Sequence, residues 1–337
     1  MKQLDIISPH LGIVVTLSVI IIIGVVALYN IYVPVSSNEM LLKINRGDTA
    51  ATIAEKLEQN GVIRSKFLFR TLASMRGTDK HLIAGTYTLG GKHNLLQTLK
   101  MLEEGNVTAV RVTIPEGFSM YQTLHRLEKS GLAKYKDLYK EATNPEFVYQ
   151  LTGFKVPSLE GFLFPDTYAF EPDVTVQEIL SIMTSNFFNT LNKAGIDPYA
   201  IDDFYDKLIL ASIVEKESNY PEERQLVAGV IYNRLSAGMK LASCPTVNYI
   251  LEQKGIKKKV LSYEDTQILS PYNTYLNYGL PPTPICNPSL ASIKAALNPA
   301  RTDYYYFVSD RDGRNDFSRT AEEHLAKAKK YRRKEWE

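Results

Sequence analysis

The 337-residue chain has only two cysteines, Cys244 and Cys286, and a single tryptophan. Two cysteines allow at most one disulfide, so no disulfide framework holds this protein and its core has to come from packed side chains. Its five histidines, His10, His81, His93, His125 and His324, are scattered, and none sits at ligand spacing from a cysteine or a second histidine. No metal is expected, and no cofactor. Net charge is almost absent: 39 basic residues against 37 acidic ones leave +2, which creates no global field for nucleic acid or anionic lipid. A glycine-rich phosphate loop and a G-x-S-x-G elbow are missing as well, and Ser218 has no base that the sequence suggests.

One region lacks charged side chains altogether, from Leu11 to Asn38. The stretch LGIVVTLSVIIIIGVVALYNIYV is long enough to cross the roughly 30 Å hydrocarbon layer as a helix. A cleaved signal peptide would show a shorter apolar core, a more basic front and a small-x-small site. The reading is therefore an uncleaved anchor at residues 11–33, with residues 1–10 ahead of it. Flanking charge decides orientation only weakly, since Lys2 competes with Asp5 on one side and Glu39, Lys43, Arg46 and Asp48 mix on the other. The terminal KAKKYRRKEWE reads as a solvated helix of mixed charge, with attraction to a membrane surface or polyanion as the alternative.

The remaining ~300 residues suffice for two domains. LLKINRGDTAATIAEKLEQNG reads as a strand, a turn at Arg46-Gly47-Asp48 and a helix capped near Asp48 or Thr49. Shifted by 70 residues, the pattern returns in VTIPEGFSMYQTLHRLEKSG, which places Ile114 on Ile44, Gly117 on Gly47, Leu127 on Leu57, Glu128 on Glu58 and Gly131 on Gly61. That spacing predicts a strand-turn-helix duplication. Between the copies, FLFRTLASMRG reads as a helix, AGTYTLG as a strand and LLQTLKMLEEG as a helix closed by Gly105. The strand-GDT-helix pattern resembles the LysM module, which holds N-acetylated glycans, although Gly47 and Asp48 also suit any tight turn before a helix. From about Asn144 aromatics and prolines multiply. After Gly238 the segments LASCPTVNYIL, SPYNTYLNYGLPPTPICNPS and YYYFVSD read as loops and short strands, with one helix at SLASIKAALNPA and a last one from Thr320. The expected fold is α+β: a single N-terminal transmembrane helix, a small LysM-like α/β subdomain at 40–143, and a larger mixed α/β catalytic domain at 144–335.

Chemistry concentrates in LILASIVEKESNYPEERQLVAGVIYNRL. Helical spacing puts Glu217 on the stripe of Leu210, Ile213 and Val214, the face turned to the interior. The residue before Pro221 is pushed out of helical geometry, so the helix should stop within a turn of Glu217, where the negative end of its dipole disfavours another negative charge. Burial and dipole both favour the protonated acid, as general-acid cleavage of a glycoside requires.

The chain resembles the endolytic murein transglycosylases of the MltG/YceG family along nearly its whole length. The motifs are EGFLFPDTY at 160–168, ASIVEKES at 211–218, ERxxVAxVIYNRLxxGMxL at 223–241, PTV at 245–247, PYNTY at 271–275, GLPPTPI at 279–285 and YYYFV at 304–308. The resemblance implies that Glu217 is the catalytic acid, that Glu215 is structural or supporting, and that the Glu217-Ser218 pair matches the dipeptide around the acid of other lytic transglycosylases, with Ser218 a candidate substrate contact. Where many members carry Asp before PTV, this chain has Cys244, which removes the most convenient second acid; Glu160 and Asp166 remain as supporting carboxyls. Asn233, Thr246, Tyr272, Asn273, Thr274 and Tyr275 are the expected hydrogen-bonding surround of the sugar. Tyr168, with Phe164, is a candidate apolar floor.

The implied activity is non-hydrolytic cleavage of peptidoglycan between N-acetylmuramic acid and N-acetylglucosamine, leaving 1,6-anhydro ends. The partners would be glycan strands, the lipid bilayer and wall synthases or division proteins, with no nucleic acid, and the catalytic domain would lie outside the cytoplasmic membrane. A lysozyme-like hydrolase using the same acid and a non-catalytic glycan-binding wall anchor are the competing readings.

Overall fold

The computed structural model describes residues 9–331 apart from Arg46 and Lys259. Lys2 and Asp5, Arg46 of the expected turn, and the basic end beyond Tyr331 lie outside the described residues.

Helix α1, Pro9–Tyr32, carries the charge-free run. At 1.5 Å per residue it spans ~36 Å, enough to cross a bilayer. Its stretch Gly12–Tyr32 has none of its length buried, and Ile21, Ile23 and Val25 are about 60% exposed. An all-round apolar, uncovered helix suits an apolar medium.

The chain divides into two compact units between Val110 and Arg111, one residue into the strand Val110–Thr113, which is described with the second unit. In the first, strand β1 (Val35–Ile44), helices α2 (Ala50–Gln59) and α3 (Lys66–Met75), and strand β2 (Gly85–His93) precede α4 (Leu95–Glu104). β1 and β2 pair antiparallel, Ile44 opposite Gly85 and Leu42 opposite Tyr87, with a bulge between Ser37 and Met40. Ile44, Ile53, Leu57, Phe69, Tyr87 and Leu99 form the shared core.

The second unit contains β3 (Val110–Thr113), α5 (Met120–Lys129), α6 (Tyr135–Ala142), α7 (Pro145–Thr152), β4 (Thr167–Phe170), α8 (Val176–Lys193), α9 (Phe204–Glu217), α10 (Arg224–Ser236), α11 (Cys244–Glu252), α12 (Leu290–Leu297), the hairpin β5 (Tyr306–Ser309) and β6 (Asn315–Ser318), and α13 (Ala321–Tyr331). The second strand-turn-helix copy falls here, because β3 pairs with β4 and α5 packs on α6. Locally the copies agree. Thr49 and Ser119 both cap the following helix by accepting from the residue three further on. Gly47 and Gly117, and Gly61 and Gly131, all take the positive φ that suits glycine.

Helix α9 organises this unit. All seven residues from Leu208 to Val214 are buried, so the expected single apolar stripe is instead a helix covered on every side by α10, α11 and α12. Phe162, Phe187 and Phe204 pack in the same core, each worth roughly 1.5–3 kcal/mol on burial. α11 is a helix where loops and short strands were expected. Its Pro245 falls in the first turn, where a missing N–H costs nothing.

Candidate active site

Helix α9 ends at Glu217, and Ser218 already has extended backbone. Pro221 opens a short 3₁₀ turn that leads into α10. The loop between them is clasped by the β5–β6 turn. Tyr220 donates its hydroxyl to the Asp312 carbonyl at 3.0 Å, the Arg314 guanidinium lies over the Tyr220 ring, and Asn315 Nδ2 donates to the Glu217 carbonyl at 3.0 Å.

The Glu217 side chain is half-buried and turns into a small cavity of about 20 Å³ lined by Ile213, Val230, Ile231, Leu241 and Phe307, with Arg234 and Ser243 as its polar members. That volume holds about one water. Burial pushes the Glu217 carboxyl up from its ordinary value, and the Ser243 hydroxyl and the Arg234 charge moderate the rise. Ser243 Oγ donates to Glu217 Oε1 at 2.6 Å. Among the described residues no hydrogen bond reaches Oε2, which is not sealed off as a buried unpaired atom. A protonated carboxyl in this setting accepts at one oxygen and keeps its proton on the other.

Ser243 is held in place with care. It occupies the N-cap of α11, yet its side chain makes no cap bond, because the hydroxyl is committed to Glu217. The preceding Ala242 has φ of 46°, a left-handed conformation that a non-glycine residue adopts only when its surroundings enforce it. Thr274 enforces it from both sides: its carbonyl accepts from Ala242 N at 3.0 Å, and its hydroxyl accepts from Ser243 N at 3.0 Å. Thr246, fully buried, shares a hydrogen bond with Thr274 and donates to the Ser243 carbonyl.

The sequence candidates distribute unevenly around this centre. Tyr275 hydrogen-bonds Cys244 at 3.0 Å beside the acid, and the Glu217 charge is one of the influences that push the Tyr275 hydroxyl up, after burial. Thr246 and Thr274 brace the Ser243 turn. Asn273 is buried and donates to the carbonyls of Thr266 and Ile268. Asn233 donates to those of Thr302 and Tyr304, both at 2.8 Å. Tyr272 bonds Thr283 and packs on Tyr249. Ser218 Oγ turns away to the Tyr220 carbonyl.

Glu215 is locked in a buried pair with Arg224 at 3.2 Å and also accepts from Ser289. Glu160 is 1% exposed and accepts from Met120 N and the Tyr249 hydroxyl. Tyr168 and Asp166 line another groove, of about 510 Å³, with Asn186, Ser185 and Asn189. Phe164 packs against the core. None of Glu215, Glu160 and Asp166 lines the Glu217 cavity. Both cysteines are free thiols; Cys244 is exposed, yet partial desolvation still pushes its thiol up, which disfavours a thiolate nucleophile.

Sequence reasoning did not single out Ser243 or Arg234. Arg234 was nonetheless conspicuous, as a cation inside the apolar run VAGVIYNRL. It is half-buried, with Nε on the Tyr305 carbonyl and Nη1 on the Leu241 carbonyl, both at 2.6 Å.

A carboxyl at the end of a buried helix, pushed toward its neutral form by burial and bound by a hydroxyl near a cation in a mixed α/β frame, is the arrangement that general-acid chemistry calls for. Residues 42–330 match the YceG-like family, and the chain belongs to it. It is 31% identical over 321 residues to the endolytic murein transglycosylase of Bacillus subtilis strain 168, covering 88% of this chain and 86% of that one. Identity to the endolytic murein transglycosylase of Streptococcus pneumoniae serotype 2 strain D39 is 30% over 332 residues, covering 86% of this chain and 58% of the relative's length. The crystal structure of the yceG-like protein lmo1499 from Listeria monocytogenes superposes with a TM-score of 0.58 at 33% identity, covering 86% of this chain and 99% of that one.

Proposed function

We propose that the chain is a membrane-anchored endolytic lytic transglycosylase of peptidoglycan, with Glu217 as general acid and then general base. The observation that carries this reading is the Glu217 carboxyl itself, pushed toward its neutral form at the end of α9, with Oε1 tied to Ser243 and Oε2 unbonded. The names of the bacillary and pneumococcal relatives give the substrate.

In the reaction, Glu217 passes its proton to the oxygen linking N-acetylmuramic acid to N-acetylglucosamine, and the C1–O bond breaks. The C6 hydroxyl of the same muramic ring attacks C1 and gives its proton to the Glu217 carboxylate. A C1–O6 bond forms, the acid is restored, and no water enters. An intramolecular nucleophile has a high effective concentration, so no second carboxylate is needed to activate it. The Glu217 cavity lining contains none besides Glu217.

Mass spectrometry of sacculi digested by the full-length chain should find 1,6-anhydro ends, and Glu217→Gln should abolish them. Reducing ends that borohydride labels would instead mark a hydrolase. A Glu217→Gln variant that digests normally would remove the acid from the mechanism.

The first unit has its own groove of about 840 Å³, between the start of α2 and α3, lined in part by Asp48, Thr49, Phe67, Arg70 and Lys80. Its strand-helix-helix-strand order supports a LysM-like role in holding glycan. Phe67→Ala, at a side chain 71% exposed, should then weaken co-sedimentation with sacculi. Unchanged retention would remove that role. The substrate lies outside the cytoplasmic membrane, so both units belong on that side of the α1 anchor; protease added to intact spheroplasts should digest them.

A further inference from the structure

We propose that Arg234 is a positioning residue for Glu217: its guanidinium anchors the strained turn that presents the Ser243 hydroxyl, and it sets a fixed positive charge beside the carboxylate left when the proton departs. The proposal rests on the reading of Glu217 as the acid.

Arg234 holds two segments at once. Nη1 takes the Leu241 carbonyl, immediately before left-handed Ala242, and Nε takes the Tyr305 carbonyl at the start of the β5–β6 hairpin. The hairpin in turn holds the Glu217 backbone through Asn315. The Tyr306 ring packs against the guanidinium, 5.0 Å from its centroid. One planar fork therefore fixes both the turn that carries Ser243 and the hairpin that carries the acid's carbonyl, and it lines the same small cavity as the acid. A lysine has the charge but not the fork.

Tyr275, Cys244 and His324, which also surround this pair, are all shifted away from their charged forms. Burial pushes Tyr275 and, on α11, Cys244 upward. On α13, burial and then the Arg234 charge push His324 downward, and its ring stacks on Tyr306. Arg234 thus supplies the local charge. It favours the ionised form of Glu217 and so opposes the rise that burial causes.

The test uses the full-length chain in detergent, with Arg234→Gln, Arg234→Lys and Glu217→Gln. Turnover is followed from pH 5 to 9 on purified glycan strands. The Glu217 carboxyl is titrated separately by ¹³C NMR of glutamate-labelled protein, assigned by the signal that Glu217→Gln removes. Arg234→Gln should move both the alkaline limb of turnover and the Glu217 titration to higher pH, and lower plateau turnover about ten- to a hundredfold. Arg234→Lys should leave both midpoints in place and lower turnover about tenfold. Ala242→Gly added to Arg234→Lys should restore part of that loss, because the turn then needs less holding.

An Arg234→Gln variant whose Glu217 titration does not move overturns the proposal, whatever its turnover. So does an Arg234→Lys variant with wild-type turnover. Where Glu217→Gln itself keeps full turnover while the titration shift persists, the acid reading fails and the charge coupling alone survives.

Discussion

Glu160 gives the fold a pH dependence whose size follows from its surroundings. The residue is 1% exposed, its carboxyl accepts from Met120 N and the Tyr249 hydroxyl, and Glu252 adds a nearby negative charge. Burial outweighs the hydrogen bonds and raises its pKa from 4.5 to about 8. Between those values the folded chain keeps a proton that the unfolded chain has released. Stability then falls as pH rises, by about 1.4 kcal/mol per pH unit for this one group. The contribution is fully present below 4.5 and is lost as pH climbs through about 8, a total of roughly 4 kcal/mol by pH 8. Glu160→Gln keeps the shape and both partners but cannot ionise. Its stability should match wild type near pH 4.5 and exceed it increasingly toward pH 8. Urea unfolding of the full-length chain in detergent, followed by circular dichroism at pH 4.5, 6 and 8, measures the difference directly. Groups that do not interact with Glu160, Glu217 among them, cancel in the subtraction. A difference between the two proteins that stays constant with pH would refute the reasoning.

Two further outcomes follow from single contacts. Ser243→Ala removes the hydroxyl that steadies ionised Glu217, so the alkaline limb of the pH–rate profile should move up and turnover should fall about tenfold or more; an unmoved limb would separate Ser243 from the acid. Arg224→Ala leaves Glu215, whose side chain is 5% exposed, without its cation, and should cost about 3–5 kcal/mol in thermal or urea unfolding, whereas a loss below 1 kcal/mol would mean that solvent reaches the pair.

The parts of this fold written locally were readable. Gly105 closing α4, Thr49 and Ser119 capping α2 and α5, and the end of α9 at Glu217 all depend on neighbours within four residues. Contacts across long stretches of chain were not readable. Ser243 reaches Glu217 over 26 residues, and Arg234 reaches Tyr305 over 71. Helix α11 was hidden because Cys244-Pro245, inside a proline- and aromatic-rich stretch, looks like a break when it is a first turn. Asn273 and Thr274 were read as hydrogen-bonding contacts for the sugar. Here they are 0% and 1% exposed, and the loop spends its polar atoms on its own backbone and on the Ser243 turn.

The size of the cavity also bears on how an acid stays useful. A wide, wet cleft around Glu217 would hydrate the carboxylate and return its pKa to the ordinary range, and a fully sealed one would keep the sugar away. At about 20 Å³, walled largely by Ile213, Val230, Ile231 and Phe307, the space behind the carboxyl is too small for a sugar ring and has room for no more than about one water. Under the proposed function a glycan meets Glu217 from outside this space, on the side where Cys244 is exposed and Tyr275 is hydrogen-bonded to it. On that argument the cavity sets the proton affinity while the exposed side sets substrate access, and enlarging the cavity by Phe307→Ala should weaken the acid's protonation before it affects glycan binding.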